Sequence, residues 1–304
     1  MSSGSADSPV DVGSCIRWEP LESDTSRLAS LYRSAAPYPH IALPNFLEIG
    51  VAEKLAADFP APTGEAWINY RHFNEHKFGQ TKRALFPDSI GAVVDELNSP
   101  RFVHWLSRLT GIEGLLADTT LEGGGMHQTP AGGFLNVHAD FTMHHHRPTW
   151  RRRCNLIVYL NPEWRDEWGG AIELWDVGMK RAVVQVPPLL NQAVIFETTE
   201  TTYHGYPDPI RCPEGSTRKS IALYYYTDEP AGSAPPRATN YRARPTDSLG
   251  RRLAIWADTS AVAAYSVIKR RLGLSDEFAS RILSRLAGKK SANDRRAADR
   301  PHEK

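Results

Sequence analysis

The residues of this sequence that could do chemistry begin with His138-Ala139-Asp140, an imidazole and a carboxylate separated by one residue. In a β-strand, residues i and i+2 point to the same face, so these two side chains are expected to project together. A second imidazole, His204, follows the run NQAVIFE, which has the composition of a strand. Imidazole and carboxylate groups are ligands of first-row transition metals. The three residues therefore predict a metal site.

Two imidazoles and one carboxylate on one face of a metal ion leave its other positions open. Non-haem Fe(II) oxygenases use this arrangement, because the open positions take a bidentate co-substrate and O₂. Zinc enzymes with an open position use the same ligand types. The residues alone thus leave three alternatives: an Fe(II) oxygenase, a cupin-like zinc-dependent hydrolase or isomerase, and a non-catalytic ligand-binding jelly roll.

A basic element, Arg218-Lys219-Ser220, opens the apolar run SIALYYYT fourteen residues after His204. By strand alternation, Arg218 and Ser220 share one face, and Lys219 lies on the other. An arginine held on a strand can bind a carboxylate through two hydrogen bonds, and a hydroxyl two residues later adds a donor. This order favours the oxygenase, since the zinc alternatives leave Arg218 without a role.

These motifs resemble the prolyl 4-hydroxylase-like branch of the Fe(II)- and 2-oxoglutarate-dependent oxygenases. The resemblance covers about residues 117–228, through GGFLNVHADF, RRRCNLIVYLNP, EWRDEWGGAIELWD, HGYPDP and RKSIALYYYT in that order. It implies a mainly β fold with flanking helices (α+β), in which a double-stranded β-helix, a jelly roll, carries N-terminal and C-terminal helices.

The resemblance also implies roles for individual residues. Fe(II) would be held by His138, Asp140 and His204, and the distal carboxylate of 2-oxoglutarate by Arg218 with Ser220. Two further residues are expected to line the co-substrate pocket, Asn155 and Tyr159. The implied reaction is hydroxylation of an unactivated C–H bond of a small molecule or peptidyl substrate, with O₂ consumed, succinate and CO₂ released, and ascorbate as a reductant. Related halogenases replace the carboxylate ligand with a small residue, so Asp140 favours hydroxylation.

Three residues are candidates for contact with the primary substrate: His127, His144 and Arg83. His144 begins a run of three histidines that we interpret as a loop at the mouth of the site. Arg83 ends the segment 67–83, which is rich in aromatic and basic residues and to which we assign no regular structure. The residues DPIRCPEGS between His204 and Arg218 read as an inserted loop.

Composition along the chain predicts an ordered series of regions. Glycine- and proline-rich turns separate seven short β-branched runs after residue 117, as in a sandwich or barrel, and helical periodicity returns near residue 248. The predicted regions are a disordered N-terminus (1–20), a helical and strand region packing on the barrel (21–116), the catalytic β-core (117–229), a linker (230–247), C-terminal helices (248–287) and a charged tail (288–304).

Charge and cysteine content exclude several classes of protein. Lys plus Arg number 36 and Asp plus Glu number 35, which gives a formal charge of +1 and no electrostatic footprint for nucleic acid. Three distant cysteines predict neither a disulfide framework nor a cysteine zinc site, and fit a reducing compartment. We find no signal peptide and no membrane-spanning run, so we expect a cytoplasmic protein. The sequence leaves the oligomeric state and the substrate open.

Overall fold

The structure is a computed structural model that describes residues 13–272 except Glu65, Ala231 and Ala234. This part of the chain contains thirteen strands and six α-helices. The helices are α1 (Trp18–Ser23), α2 (Thr25–Ser34), α3 (Ile49–Asp58), α4 (Asp88–Leu97), α5 (Pro100–Thr110) and α6 (Leu249–Leu272). The strands are β1 (His40–Pro44), β2 (Ile68–His72), β3 (Glu75–Gln80), β4 (Leu115–Ala117), β5 (Gly125–Pro130), β6 (Phe134–Ala139), β7 (Trp150–Tyr159), β8 (Ile172–Trp175), β9 (Ala182–Val186), β10 (Gln192–Glu197), β11 (His204–Tyr206), β12 (Thr217–Asp228) and β13 (Asn240–Tyr241).

The eight strands from β5 to β12 form two facing antiparallel layers. One layer has the order β10-β7-β12-β5, and the other has the order β6-β11-β8-β9. Successive strands pass back and forth between the layers, with only β8 and β9 remaining in the same one, which is the winding of a jelly roll. Contacts between the layers include the hydroxyls of Thr129 on β5 and Tyr206 on β11, 2.9 Å apart. The mainly β double-stranded β-helix expected from the sequence is confirmed.

Helices α1 to α5 cover the outer face of the first layer. Leu156, Ile195 and Leu223 project from that face and join one apolar cluster with the buried side chains of α1 to α5. Their alternation with inward-facing residues follows from the period of two along a strand. Helix α5 is capped as expected, because the Ser99 hydroxyl accepts a hydrogen bond from the Phe102 amide. Burial on both faces makes this layer the rigid support for the residues that face inward.

The segment without assigned structure forms a hairpin, so that part of the sequence interpretation is corrected. Strands β2 and β3 pair from Ile68↔Gly79 to His72↔Glu75. The other edge of β3 pairs with β5 and then with β6, so that the hairpin lies along the corner where the two layers meet. The sequence of this segment does not show the alternation of apolar and polar residues typical of a strand, because its aromatic and basic residues occupy both inward-facing and outward-facing positions.

Of the predicted disordered residues 1–20, the structure describes 13–20, and for these the prediction is wrong. Ile16 forms a β-bridge with Leu47, and Trp18 begins α1. Glu96 on α4 accepts hydrogen bonds from the Cys15 amide (2.7 Å) and from Trp18 Nε1 (2.9 Å). These partners lie about eighty residues further along the chain, so small polar residues that look disordered in isolation become ordered on the core.

The predicted linker also carries structure. Its β13 pairs with β6 in the register Tyr241↔His138, which adds a short strand beside the metal-ligand candidates. The helix after it, α6, reaches Leu272, and the remainder of the predicted C-terminal helices, residues 273–287, lies outside the described residues. No helix of the described part has the length and apolarity to cross a membrane. The three cysteines are free thiols.

Asn191 provides a test of how the β-core is joined to the N-terminal region. It has a φ of 61°, its Oδ1 accepts from the Leu47 amide at 2.7 Å, and its Nδ2 donates to the Leu47 carbonyl at 2.8 Å. Asn191→Ala should lower the free energy of unfolding by about 2–4 kcal/mol, because two buried backbone groups lose their partners. Alanine is also less suited than asparagine to a positive φ. Urea unfolding measures this, with Asn191→Gly as the control that tolerates the φ angle and should lose less. A loss below about 1 kcal/mol in Asn191→Ala would contradict the role of these hydrogen bonds.

Candidate active site

The structure brings His138, Asp140 and His204 together between the two layers. His138 is the penultimate residue of β6, Asp140 follows that strand directly, and His204 begins β11. Because β6 and β11 pair with His138 opposite His204, their rings lie 4.4 Å apart. One candidate ligand atom from each of the three residues lies within 4.8 Å of the other two. This is the only such group of three or more metal-ligand side chains within the described residues.

Hydrogen bonds orient the two imidazoles toward the carboxylate. Nδ1 of His138 lies 2.9 Å from the Asn136 carbonyl, and Nδ1 of His204 lies 3.2 Å from the Thr202 carbonyl. A carbonyl can only accept, so both Nδ1 atoms carry the proton and both Nε2 lone pairs are available. The Nε2 atoms lie 3.4 and 3.5 Å from the oxygens of Asp140. Burial lowers the pKa of His204 to about 3, so its ring is neutral, as a metal ligand requires.

A buried arginine, Arg152 on β7, compensates the charge of Asp140. Its Nη2 lies 3.0 Å from Asp140 Oδ2, and Asn155 Nδ2 donates to the same oxygen at 2.7 Å. Burial alone would raise the pKa of Asp140, but the guanidinium holds it well below its usual range. Arg152 Nε also donates to Asn155 Oδ1 (2.8 Å), and its guanidinium carbon lies 3.4 Å from the centre of the Tyr224 ring. Oδ1 of Asp140 is thereby left for a cation, and the donor set fits a divalent transition metal.

A second buried arginine, Arg218, lies in the same interior without a carboxylate partner among the described residues. It is 4% exposed. Its Nε donates to the Gly170 carbonyl at 2.7 Å, and its Nη2 donates to the Tyr159 hydroxyl at 2.9 Å. The guanidinium carbon also lies 4.1 Å from the centre of the Tyr206 ring. Two of the five N–H groups of the guanidinium thus donate to neutral partners, and the remaining N–H groups are available to an anion.

The strand alternation expected around Arg218 accounts for its neighbours. Ser220 is buried and shares the inward face of β12 with Arg218. In the strand register it lies opposite Tyr159 of β7 on one side and His127 of β5 on the other. The structure shows no hydrogen bond from the Ser220 hydroxyl to Arg218. Lys219 projects from the opposite face. The inserted loop packs through Ile210, whose backbone bonds with Gly132 and Gly133 in the β5–β6 turn.

His127 points into the same interior from β5. It is 9% exposed, and its Nε2 has no hydrogen-bond partner. The ring bonds to the Gly123 carbonyl, and burial together with the charge of Lys77 lowers its pKa to about 3. His127 is therefore a neutral imidazole in the interior, and its contact with substrate stays a prediction.

The other two candidates for substrate contact lie elsewhere. His144 is buried rather than at the mouth of the site, because its Nδ1 lies 2.9 Å from Glu122 Oε2 and its Nε2 lies 3.5 Å from Asp118 Oδ2. Burial would lower the pKa of His144, but these two carboxylates raise it to about 9. Arg83 forms a bidentate pair with Asp95 on α4, at 2.9 and 2.6 Å. Both side chains are occupied in supporting the structure.

Several residues of the site had no distinctive signal in the sequence. Arg152 stands in a run of three arginines, and only the fold shows that the middle one faces inward. Tyr206 and Tyr241 belong to segments that read as a loop and a linker. The ring of Tyr241 lies 5.3 Å from that of His138. Strand alternation from His138 or His204 could have located Tyr206, whereas Tyr241 required the pairing of β13.

Arg152→Met tests the charge compensation of Asp140. Removing one partner of a buried ion pair costs about 3–5 kcal/mol, so the metal-free variant should melt well below the wild type. A divalent cation supplies the missing positive charge, and Mn(II) should therefore raise the melting temperature of the variant more than that of the wild type. Arg153→Met is the matched control, since Arg153 is bonded to Thr227 and Glu229 near the surface. An equal Mn(II) shift in all three proteins would contradict this account.

Comparison with known proteins shows what the region around the site is similar to. Residues 124–226, about a third of the chain, match the family model of the 2OG-Fe(II) oxygenase superfamily. The chain is 24% identical over 218 residues to the prolyl 3-hydroxylase OGFOD1 of Mus musculus. That alignment covers 66% of this chain and 34% of the mouse protein, so the chain spans about a third of the relative's length.

Two solved structures are similar over most of their own length. A Pseudomonas putida prolyl-4-hydroxylase is 18% identical, with a TM-score of 0.48, and the match covers 66% of this chain and 98% of that one. A Trichoplax adhaerens prolyl hydroxylase, solved with a peptide fragment of the hypoxia inducible factor oxygen degradation domain, is 15% identical, with a TM-score of 0.48 and coverage of 70% and 92%. Since neither TM-score reaches 0.5, the strand order described above defines the fold.

The matched region contains all three metal-ligand candidates and Arg218, and the cofactors of the matched superfamily are Fe(II), 2-oxoglutarate and O₂. Residues 124–226 of this chain are therefore similar to the 2OG-Fe(II) oxygenase superfamily, and the chain is also similar to a prolyl 3-hydroxylase.

Proposed function

We propose that this protein is an Fe(II)- and 2-oxoglutarate-dependent dioxygenase that hydroxylates an unactivated C–H bond of a peptidyl or small-molecule substrate. The observation that carries the proposal is the buried Arg218, held by neutral partners in the same interior as the His-Asp-His group. A buried cation without a compensating anion is unfavourable. A dicarboxylate co-substrate supplies that anion, whereas the zinc-dependent hydrolase and the non-catalytic ligand-binding jelly roll require no such anion.

The proposed metal ligands are Nε2 of His138, Nε2 of His204 and Oδ1 of Asp140. Fe(II) bound there would supply the positions for co-substrate and O₂ and the oxidising chemistry. The protein's part is to hold both imidazoles in the required tautomer and to keep Asp140 ionised through Arg152. Each of these contributions is already made by hydrogen bonds within the chain.

The co-substrate pocket is proposed to end at Arg218. The guanidinium would bind the distal carboxylate of 2-oxoglutarate, with the Tyr159 hydroxyl and the Tyr206 ring fixing its plane. Gly170 contributes its carbonyl at a φ of 75°, and a Cβ there would meet the side chains of Arg218 and Ile210 within 3.3 Å. Ser220 lines the pocket between Arg218 and the metal ligands. Asn155 lies at the metal end, where it contacts Asp140 rather than the distal carboxylate site.

Peptidyl proline is the first substrate to test. The mouse relative is named a prolyl 3-hydroxylase and the Pseudomonas putida structure a prolyl-4-hydroxylase. Small molecules remain the alternative within the same chemistry. Free thiols and the nearly balanced charge support our further proposal of a reducing, cytoplasmic location with no nucleic-acid partner.

Arg218→Met should weaken co-substrate binding while leaving the metal site intact. Under anaerobic conditions, Fe(II) and 2-oxoglutarate should give the wild type a weak visible charge-transfer band. The variant should need at least about tenfold more 2-oxoglutarate, because a charge-assisted bidentate contact contributes about 1.5–3 kcal/mol. Lys219→Met, which removes the adjacent cation on the opposite face, is the matched control and should titrate like the wild type. If the wild type binds zinc but shows no band with Fe(II), the zinc hydrolase becomes the better reading.

Substrate turnover is predicted to be coupled to succinate formation. With Fe(II), 2-oxoglutarate, O₂, ascorbate and a library of proline-containing peptides, the hydroxylated peptide should gain one oxygen atom, with one succinate and one CO₂ formed from 2-oxoglutarate per hydroxylation. Asp140→Ala should abolish both products, because it removes a ligand and leaves Arg152 uncompensated. Succinate formation without any oxidised peptide would instead direct the search to small molecules.

A further inference from the structure

A surface groove lies beside the candidate active site, between α6, β13 and the turn that follows β8. Its volume is about 460 Å³, within the range of ligand pockets. The lining residues that matter are Met179, Lys180, Tyr241, Arg242, Arg252 and Trp256. Of these six residues, Tyr241 alone also lies beside the metal-ligand candidates described above.

Three cations of the groove have no carboxylate partner within residues 13–272 as described. They are Lys180, Arg242 and Arg252. Arg252 is held in place by neutral groups, with its Nε on the Asp247 carbonyl at 3.1 Å and its Nη2 on the Pro245 carbonyl at 2.9 Å.

Three arginines on the same segments of the chain that do not line the groove are paired with acids. Arg237 bonds to Glu200 at 2.9 Å, Arg244 to Asp208 at 2.9 Å, and Arg251 to Asp247 at 3.2 Å. The three groove cations therefore differ from these three paired arginines in having no carboxylate partner among the described residues.

An apolar wall accompanies these cations. The Trp256 side chain is 66% exposed, and Met179 and Ile255 form the floor beside it. Exposed tryptophan next to arginine is the composition typical of protein-binding surfaces. A ligand of this groove thus combines negative charge with an apolar side chain.

The groove and the metal site share one residue. Tyr241 lines the groove and also places its ring 5.3 Å from that of His138. Its strand, β13, pairs directly with β6, which carries the first metal ligand. A chain bound in the groove is therefore held next to the wall of the reaction centre.

We propose that the groove binds an acidic segment of a polypeptide substrate, next to the residue that enters the active site. This inference rests on the proposed function and names the class of its substrate. Alternate residues of an extended peptide lie on one side about 6–7 Å apart, so carboxylates can meet cations from three separate elements while an apolar residue contacts Trp256. Three cations in a concave site can bind a few carboxylates. The net charge of the chain is +1, whereas proteins that bind nucleic acid carry a broad basic surface.

The test is direct binding of defined peptides to the full chain, loaded with Zn(II) so that no turnover occurs. A fluorescein-labelled peptide of sequence Glu-Leu-Glu-Pro-Glu-Leu is compared, by anisotropy at low ionic strength, with its counterpart carrying Lys for every Glu. The acidic peptide should bind, and the basic one should not. The combined Lys180→Glu and Arg242→Glu variant should lose at least about tenfold in affinity, since each charge is reversed rather than removed.

Arg108→Glu is the matched control, because Arg108 is an exposed arginine on α5, which contributes nothing to the groove. It should bind the acidic peptide within about twofold of the wild type, and thermal melting confirms that each variant is folded. Equal binding of both peptides, no binding of the acidic one, or indifference to the charge reversals overturns the proposal, as does preference for an oligonucleotide or an anionic vesicle. Failure of the oxygenase function would be seen separately, as loss of the 2-oxoglutarate band with acidic-peptide binding retained.

Discussion

The carboxylate of Asp140, which is only 11% exposed, is the constraint on which the rest of the structure depends. An ionised group in that position must be compensated, and Arg152 and Asn155 on β7 do so at 3.0 and 2.7 Å. This requires β7 to face the end of β6 across the sandwich. The same crossing places Tyr159, further along β7, beside Arg218. One strand thus links the metal-ligand candidates to the anion-binding end of the cavity.

The interior is divided along its length by polarity. A cluster that includes Ile172, Leu174 and Val194 fills one part with apolar side chains and supports the layers. The other part contains His127, Arg218 and the His-Asp-His group, whose polar atoms are kept apart from water but not all bonded to one another. Such polar groups are unfavourable for stability unless a ligand completes them. The apolar contacts of the first layer with α1 to α5 offset that cost and hold the strands that carry the polar groups.

Structure on the open side of the sandwich comes from segments distant in the chain. His72 on β2 lies 2.8 Å from Glu75 and 2.7 Å from Asp258 on α6, and these two carboxylates raise its pKa to about 10 against the effect of burial. The hairpin and α6 are thereby joined into one wall, which Tyr241 completes beside His138. Substrate selection is therefore expected to reside in these added elements, while the ligand geometry resides in the β-core.

Much of this molecule can be inferred from residue types and their spacing. A strand presents His138 and Asp140 on one side whatever it pairs with, and alternation separates Arg218 from Lys219, because both results follow from the local period of two. The jelly-roll class follows from seven short runs with turn signals between them. Local rules could not show that the middle arginine of three is buried against Asp140, that His144 is held by Glu122, or that an apparent linker adds a strand beside His138. Those outcomes depend on contacts between segments far apart in the chain, where burial and charge compensation, rather than local propensity, determine which side chains turn inward.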